Sequence, residues 1–194
     1  SIILRPKLET RFLPLITLMT GVAVHDTLQE FGLKPDIKWV NDILVNERKI
    51  SGILAETAET SKGLAVVVGV GINIRSSNFP VEIASLATSI EAETNTLVSR
   101  DELAETLTKY LSYFYDVLNG GEGPKQIVEE WKRRSSYFSG KHVRVSTDNE
   151  TITGVTDGLE SNGALRVRGS DGRISIIQAG DVEKLRTEPA GSKS

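Results

Sequence analysis

The chain has 194 residues, 39% hydrophobic and 25% charged, enough for one good-sized core with a small appended domain. Its net charge of −3 leaves no electrostatic footprint for nucleic acid or an anionic membrane surface. The lack of cysteine excludes disulfides, thiolate metal sites and thiol nucleophiles, and it fits an intracellular, cytoplasmic setting. The longest apolar run, Leu64 to Ile74, is interrupted by glycines and too short to span a bilayer. Ser1 to Pro6 carries neither the basic region nor the cleavage site of a secretory signal. Without an initiator methionine, and opening inside a predicted strand, the chain is expected to be a fragment or a processed product.

Ser1 to Leu4 reads as a short strand stopped by Arg5-Pro6. Leu13, Ile16, Thr20, Val24, Leu28 and Phe31 recur at helical steps and predict a helix with one buried face, capped by Gly32 and ended before Pro35. Four strands follow, Ile37 to Val40, Ile43 to Asn46, Lys49 to Glu59 and Leu64 to Ile74, with turns at Asn46-Glu47-Arg48 and Ser61-Lys62-Gly63. Asn78 to Thr96 has no period beyond a short helical turn near Ile83 to Leu86. Ser99-Arg100-Asp101-Glu102 matches a capping box and opens a long helix with Leu103, Leu107, Leu111, Phe114 and Leu118 on its buried stripe. Asn119-Gly120-Gly121 ends it, and Pro124 opens a third helix through Trp131 to about Ser135.

After Tyr137 the texture changes to short β-branched runs, His142 to Ser146, Glu150 to Asp157, Ala164 to Val167 and Arg173 to Gln178. Asp148-Asn149, Asp157-Gly158, Asn162-Gly163 and Asp171-Gly172 punctuate them as hairpin turns. The expected organisation is an α+β domain over 1–138, with an antiparallel or mixed sheet and flanking helices. A five-strand SH3-like barrel follows over 139–187, then a disordered tail over 188–194.

The chemistry concentrates in one hairpin, Lys38-Trp39-Val40-Asn41-Asp42 and Lys49-Ile50-Ser51-Gly52-Ile53-Leu54. A lysine, a carboxylate, an amide and a side-chain-free glycine within one hairpin can hold a charged small molecule. Each residue also has a plainer reading: Lys49 as a solvated lysine, Asn41-Asp42 as a self-capping turn, Gly52 as a bulge. Trp39 reads as hairpin packing, His25 and His142 as structural, and Lys132-Arg133-Arg134 as a solvated basic face at a helix end.

With the later Gly69-Val70-Gly71-Ile72-Asn73, the hairpin resembles the signature of the biotin protein ligases, Lys-Trp-Pro-Asn-Asp, Lys-x-x-Gly-Ile-Leu and Gly-x-Gly-Ile-Asn. The resemblance runs from residue 1 to about 186 and implies a fold of the class II aminoacyl-tRNA synthetase and biotin ligase type. It implies biotin–[acetyl-CoA-carboxylase] ligase activity: biotin is activated with ATP and Mg²⁺ to biotinyl-5′-AMP, then transferred to a lysine of a biotin carboxyl carrier domain. It places Lys49 between the biotin carboxylate and the adenylate phosphate, and Asp42 as a catalytic carboxylate or Mg²⁺ ligand. It assigns substrate contacts to Lys49, Asn41, Gly52, Ile53, Gly69, Gly71 and Asn73. Homodimerisation occurs in the family.

Val40 departs from the family's proline, and no helix-turn-helix precedes the domain, so DNA binding is not expected of these residues. The family's Gly- and Arg-rich biotin loop has no equivalent here and would lie just before residue 1. Two other readings follow from the same residues: a non-catalytic remnant that binds a partner or nucleotide, and a lipoate–protein ligase, which shares the fold.

Overall fold

The computed structural model describes residues 1–75, 79–80, 83–147 and 150–184. The expected Asp148-Asn149 turn and the tail over 188–194 lie outside the described residues. Two antiparallel sheets and a helical layer build the α+β fold expected from the sequence. The first sheet has the order β1(Ile2–Leu4), β5(Gly63–Ile72), β4(Arg48–Thr60), β3(Asp42–Val45), β2(Asp36–Lys38). Its meander follows from a two-residue turn, Asn46-Glu47, whose φ values of 51° and 62° match the right-handed twist of a tight hairpin.

One face of this sheet is covered by α1(Leu15–Glu30). Gly21 on α1 sits over Ile37, Ile43 and Ile53, with 3.6 to 3.9 Å from its Cβ position to their side chains. The sequence suggests one buried face for this helix, but Leu15, Leu18, Met19, Val22 and Ala23 are buried as fully as Ile16 and Val24. The reason is a second layer. Helices α3(Arg100–Leu118) and α4(Gly123–Arg133) pack on the far side of α1, which is therefore apolar nearly all round. Leu103, Leu111, Phe114 and Leu118 supply the α3 stripe, and Ile127 and Trp131 that of α4. Ser99 caps α3 by accepting from the Asp101 amide at 3.2 Å. The stretch expected to be irregular contains one further helix, α2(Ile90–Thr94), capped by Ser89.

The basic run at the end of α4 is not a solvated face throughout. Arg134 forks onto Asp26 of α1 (2.6 and 2.7 Å) and onto Glu130 (2.6 Å). His25 adds a ring nitrogen 2.9 Å from the same Asp26 carboxylate. Burial pushes the Asp26 carboxyl up, but the hydrogen bonds of His25 and Arg134 outweigh it and hold the group below its ordinary value of 3.8. The residues after Arg134 close the outer edge of the first sheet. The Ile37 amide donates to the Arg134 carbonyl at 3.1 Å, and the Ser135 hydroxyl to the Ile37 carbonyl at 2.6 Å. The Ser136 amide donates to Asp36 at 2.7 Å.

The second sheet has the order β10(Asp181–Lys184), β6(Ser139–Ser146), β7(Thr151–Leu159), β8(Leu165–Arg168), β9(Ile174–Ile177), antiparallel throughout, and occupies the stretch where the small C-terminal barrel is expected. Asp157-Gly158 is not a hairpin turn as expected. It lies within β7 at a register shift, with Gly158 at φ 97° and Phe138 packed 3.4 Å from its Cβ position, so glycine serves a bulge there. The Asn162-Gly163 turn docks on the first domain. Gly163 has φ 87°, its Cβ position is 3.0 Å from Leu15 and Leu18, and its carbonyl accepts from the Trp39 indole at 2.9 Å. Trp39 is accordingly core, as its sequence position suggests.

Replacing Arg134 by alanine leaves the Asp26 carboxylate with only His25 and is expected to cost about 3 kcal/mol in urea unfolding near neutral pH. Asp26 titrates lower in the folded chain than unfolded, so its contribution is complete above the ordinary value of 3.8 and is lost as pH falls through the lowered native value. The stability gap between wild type and Asp26→Asn is therefore expected to close on acidification, which unfolding midpoints across that range would measure.

Candidate functional site

On the face of the first sheet opposite α1, one row of residues runs across four strands. Lys38 pairs with Asp42, Asp42 with Gly52, and Gly52 with Gly71. Side chains at directly paired positions share a face, so a lysine and a carboxylate stand beside two positions with none. Leu54 pairs with Gly69 in the next row, which sets one bare position beside an exposed leucine side chain. The glycines therefore leave a shallow trough beside the charged pair.

Lys49 reaches this row by a bulge. The pairing shifts between Ile43 and Leu44, which leaves Ile50 as the extra residue on β4. The Lys49 amide donates to the Leu86 carbonyl at 2.8 Å, and its carbonyl accepts from the Thr88 amide at 2.9 Å, so residues 86–88 fix its backbone. Its side chain then lies across Gly52, with Cε and Nζ only 3.1 and 3.2 Å from that glycine's Cβ position. The absence of a side chain at position 52 makes room for Lys49 itself.

Asp42 is 8% exposed and binds two ammonium groups: Lys49 Nζ at 2.6 Å from Oδ1 and Lys38 Nζ at 3.1 Å from Oδ2. Lys38 also lies 3.7 Å from Asp181 of β10, which brings the second sheet to the cluster. Asp181 offsets Lys38 only from solvent, at 76% exposure, so the buried Asp42 is the one close carboxylate for two ammonium groups and the half-exposed Lys49 presents its charge to solvent. Such a centre attracts a second anion.

The remaining residues singled out from sequence fall into two groups. Gly52, Gly71 and Asn73 line a cleft of about 1190 Å³ together with Lys49. Asn73 fastens the cleft wall: its amide donates to the Thr88 carbonyl at 3.0 Å, and its backbone bonds both Ile50 and Ile90. Asn41 holds β4 from the turn, its amide donating to the Ile53 carbonyl at 2.9 Å and its carbonyl accepting from the Ile53 amide at 3.0 Å. Ile53 itself is 2% exposed and faces α1, so its side chain is core and does not reach the trough. The Trp39–Val40 peptide is cis.

Four participants were not singled out from sequence. Lys38 was part of the motif without a role; the hairpin register that pairs it with Asp42 is the signal for it. Glu93 accepts from Asn46, Arg48 and Thr88 at 2.8, 2.8 and 2.6 Å and staples the hairpin turn to α2. Arg75 and Arg100 line the cleft, and no local pattern marks either. Among the described residues there is no group of three or more His, Asp or Glu side chains able to hold a metal ion. Asp42, with each oxygen already on a lysine, does not fit direct Mg²⁺ ligation.

Comparison with known proteins agrees with this layout. Residues 1–73 match the Biotin/lipoate A/B protein ligase family, and residues 138–185 match the Biotin protein ligase C terminal domain. Both matched regions are thus similar to domains of biotin or lipoate protein ligases. The chain is 33% identical over 190 residues to the bifunctional ligase/repressor BirA of Bacillus subtilis, covering 94% of this chain and 57% of that one. It is 28% identical to the biotin–[acetyl-CoA-carboxylase] ligase of Paracoccus denitrificans, covering 94% and 78%. The biotin protein ligase of Aquifex aeolicus, solved in complex with biotin and ATP, superposes with a TM-score of 0.80 at 27% identity, covering 96% of this chain and 77% of that one. In sequence and in fold the chain is similar to biotin protein ligases over 94% and 96% of its length. It spans little more than half the length of the BirA proteins it matches, 57% and 54%.

Adding a methyl group at position 52 is expected to push Lys49 off the trough. In a crystal structure of Gly52→Ala, the 2.6 Å contact from Lys49 Nζ to Asp42 should be broken or lengthened, with thermal stability changed by less than about 1 kcal/mol.

Proposed function

We propose that the chain carries the lysine-bearing half of a biotin–[acetyl-CoA-carboxylase] ligase, which makes biotinyl-5′-AMP from biotin and ATP and passes biotin to a lysine of a carrier domain. The observation that carries this reading is the Lys38–Asp42–Lys49 cluster beside a glycine floor, standing at the family's motif positions. Biotin's carboxylate and the α-phosphate of ATP are both anions and must be brought into contact. A fixed ammonium between them offsets their repulsion and stabilises the charge that develops on the phosphorus oxygens. Its backbone, pinned on both sides, and its half-exposed ammonium, which shares Asp42 with Lys38, support that role for Lys49.

The glycines give the biotin ring system and its chain a surface without side chains, Gly52 and Gly71 nearest the lysine and Gly69 further along. Asn41 and Asn73 hold the two walls of the trough by backbone bonds and act as supports in this reading. When Lys49 turns to the ligand, Asp42 keeps Lys38 and frees one oxygen. That oxygen can accept a hydrogen bond or a proton from the incoming acceptor amine. Mg²⁺ enters with ATP as part of the substrate, and no step is assigned to a protein-bound ion.

The match of residues 138–185 to the biotin ligase C-terminal domain favours biotin over lipoate. The BirA relatives are named as repressors as well as ligases, and DNA binding is not part of the function proposed for these residues. Among the described residues no helix is long and apolar enough to cross a membrane. A carrier protein as substrate supports a cytoplasmic setting in this reading, and the cysteine-free composition is compatible with it.

The test is pyrophosphate release from ATP on addition of biotin, with biotinylation of a carrier domain followed by mass. Lys49→Met is expected to lower pyrophosphate release at least about a hundredfold. Asp42→Asn is expected to slow transfer to the acceptor lysine more than it slows release. A wild-type chain that folds but neither binds biotin nor releases pyrophosphate would support a non-catalytic binding fragment instead.

A further inference from the structure

The cleft next to Lys49 extends well beyond the trough, to the first turn of α3. Its charged lining residues are Lys49, Arg75 and Arg100, and among the described residues no carboxylate lines it. This concentration of positive charge stands out on a chain of net charge −3. The two arginines differ from the lysine in one respect. Lys49 is held by Asp42 at 2.6 Å, whereas neither guanidinium has a hydrogen-bond or ion-pair partner among the described residues. Elsewhere on the chain arginines are spoken for: Arg48 by Glu93, Arg134 by Asp26 and Glu130, Arg166 and Arg168 by Asp157. Ser99, which caps α3, lies on the same wall, so the helix adds the positive end of a 19-residue dipole behind Arg100. Asp101 and Glu102 follow in that turn but do not line the cleft.

We infer that Arg100, with Arg75, forms the subsite for the β- and γ-phosphates of the nucleotide, the pair that leaves as pyrophosphate. This deepens the proposed function and rests on it. In the activation step a carboxylate oxygen of biotin forms a bond to the α-phosphorus. The bond from that phosphorus to the bridging oxygen breaks, and its electron pair departs with pyrophosphate. Negative charge therefore accumulates at the far end of the nucleotide, away from Lys49. A planar guanidinium meets a phosphate with two parallel hydrogen bonds and stays charged at any working pH. Without an ion pair among the described residues, Arg75 and Arg100 have none there to give up on binding it. They are positioning residues for the leaving group.

The experiment is calorimetric titration of the wild-type chain and of Arg100→Gln, Arg100→Lys and Arg75→Gln with inorganic pyrophosphate, ATP and AMP. Arg100→Gln is expected to weaken ATP and pyrophosphate about ten- to a hundredfold while leaving AMP within about twofold. Arg100→Lys should recover part of the loss, and Arg75→Gln should follow the same split with a smaller effect. Arg100 is exposed, so unchanged melting temperatures will show that all variants fold. Arginine-dependent pyrophosphate binding without any nucleotide binding would uphold the subsite while removing the ATP reading. ATP binding that is unchanged in Arg100→Gln would overturn the subsite and leave the ATP reading standing. Equal losses of AMP and ATP in Arg100→Gln would also overturn it, because they would mean a general disturbance of the cleft.

Discussion

The carboxylate of Asp42, shared between Lys38 and Lys49, is the interaction on which the site depends. A nearly buried carboxylate is stable only when compensated, and Asp42 is the one close carboxylate for two ammonium groups at 3.1 and 2.6 Å. The half-exposed one belongs to the lysine that faces the cleft. Everything around the cluster serves that placement. The bulge at Ile50 brings Lys49 round, the missing side chain of Gly52 lets it lie flat, and residues 86–88 clamp its backbone. Asp181 of β10 lies 3.7 Å from Lys38 at the solvent side, so the C-terminal sheet approaches the reactive row through one side chain.

The rest of the fold is the support such a row requires. Four strands must keep register for Lys38, Asp42, Gly52 and Gly71 to align, because a slip of one residue would send all four to the opposite face. Register is fixed from behind by Ile37, Ile43 and Ile53 against α1, and at the edge by the backbone of residues 134–136. The Arg134–Asp26 fork locks that edge segment to α1. A second contact, from Trp39 to the Gly163 carbonyl, seats the C-terminal sheet on the hairpin just before Asp42.

Much of this was legible in the sequence because it is local. The hairpin turn, the Ser99 cap, the stripe of α3 and the glycines of the floor all announce themselves by spacing or by residue type. The full burial of α1 was not legible, since its period suggests a single face and the second helical layer comes from residues some seventy positions later. Arg134 read as solvated because its partner Asp26 lies 108 positions away in sequence. Gly158 read as a turn because a bulge glycine and a turn glycine look alike in sequence. At the site, Lys49, Asp42 and the glycines stood in recognised motifs, while Ile53 shared the motif but faces the core. Lys38 needed a register to be seen as Asp42's second partner. Arg75 and Arg100 needed the cleft itself.

The most direct measurement is a structure of the chain bound to a non-hydrolysable biotinyl-adenylate analogue. The account predicts that the linking phosphate analogue sits within hydrogen-bond distance of Lys49 Nζ, that Lys49 has left Asp42, and that Lys38 remains on it. A ligand bound elsewhere, or one bound in the cleft while Lys49 stays at 2.6 Å from Asp42, would contradict it.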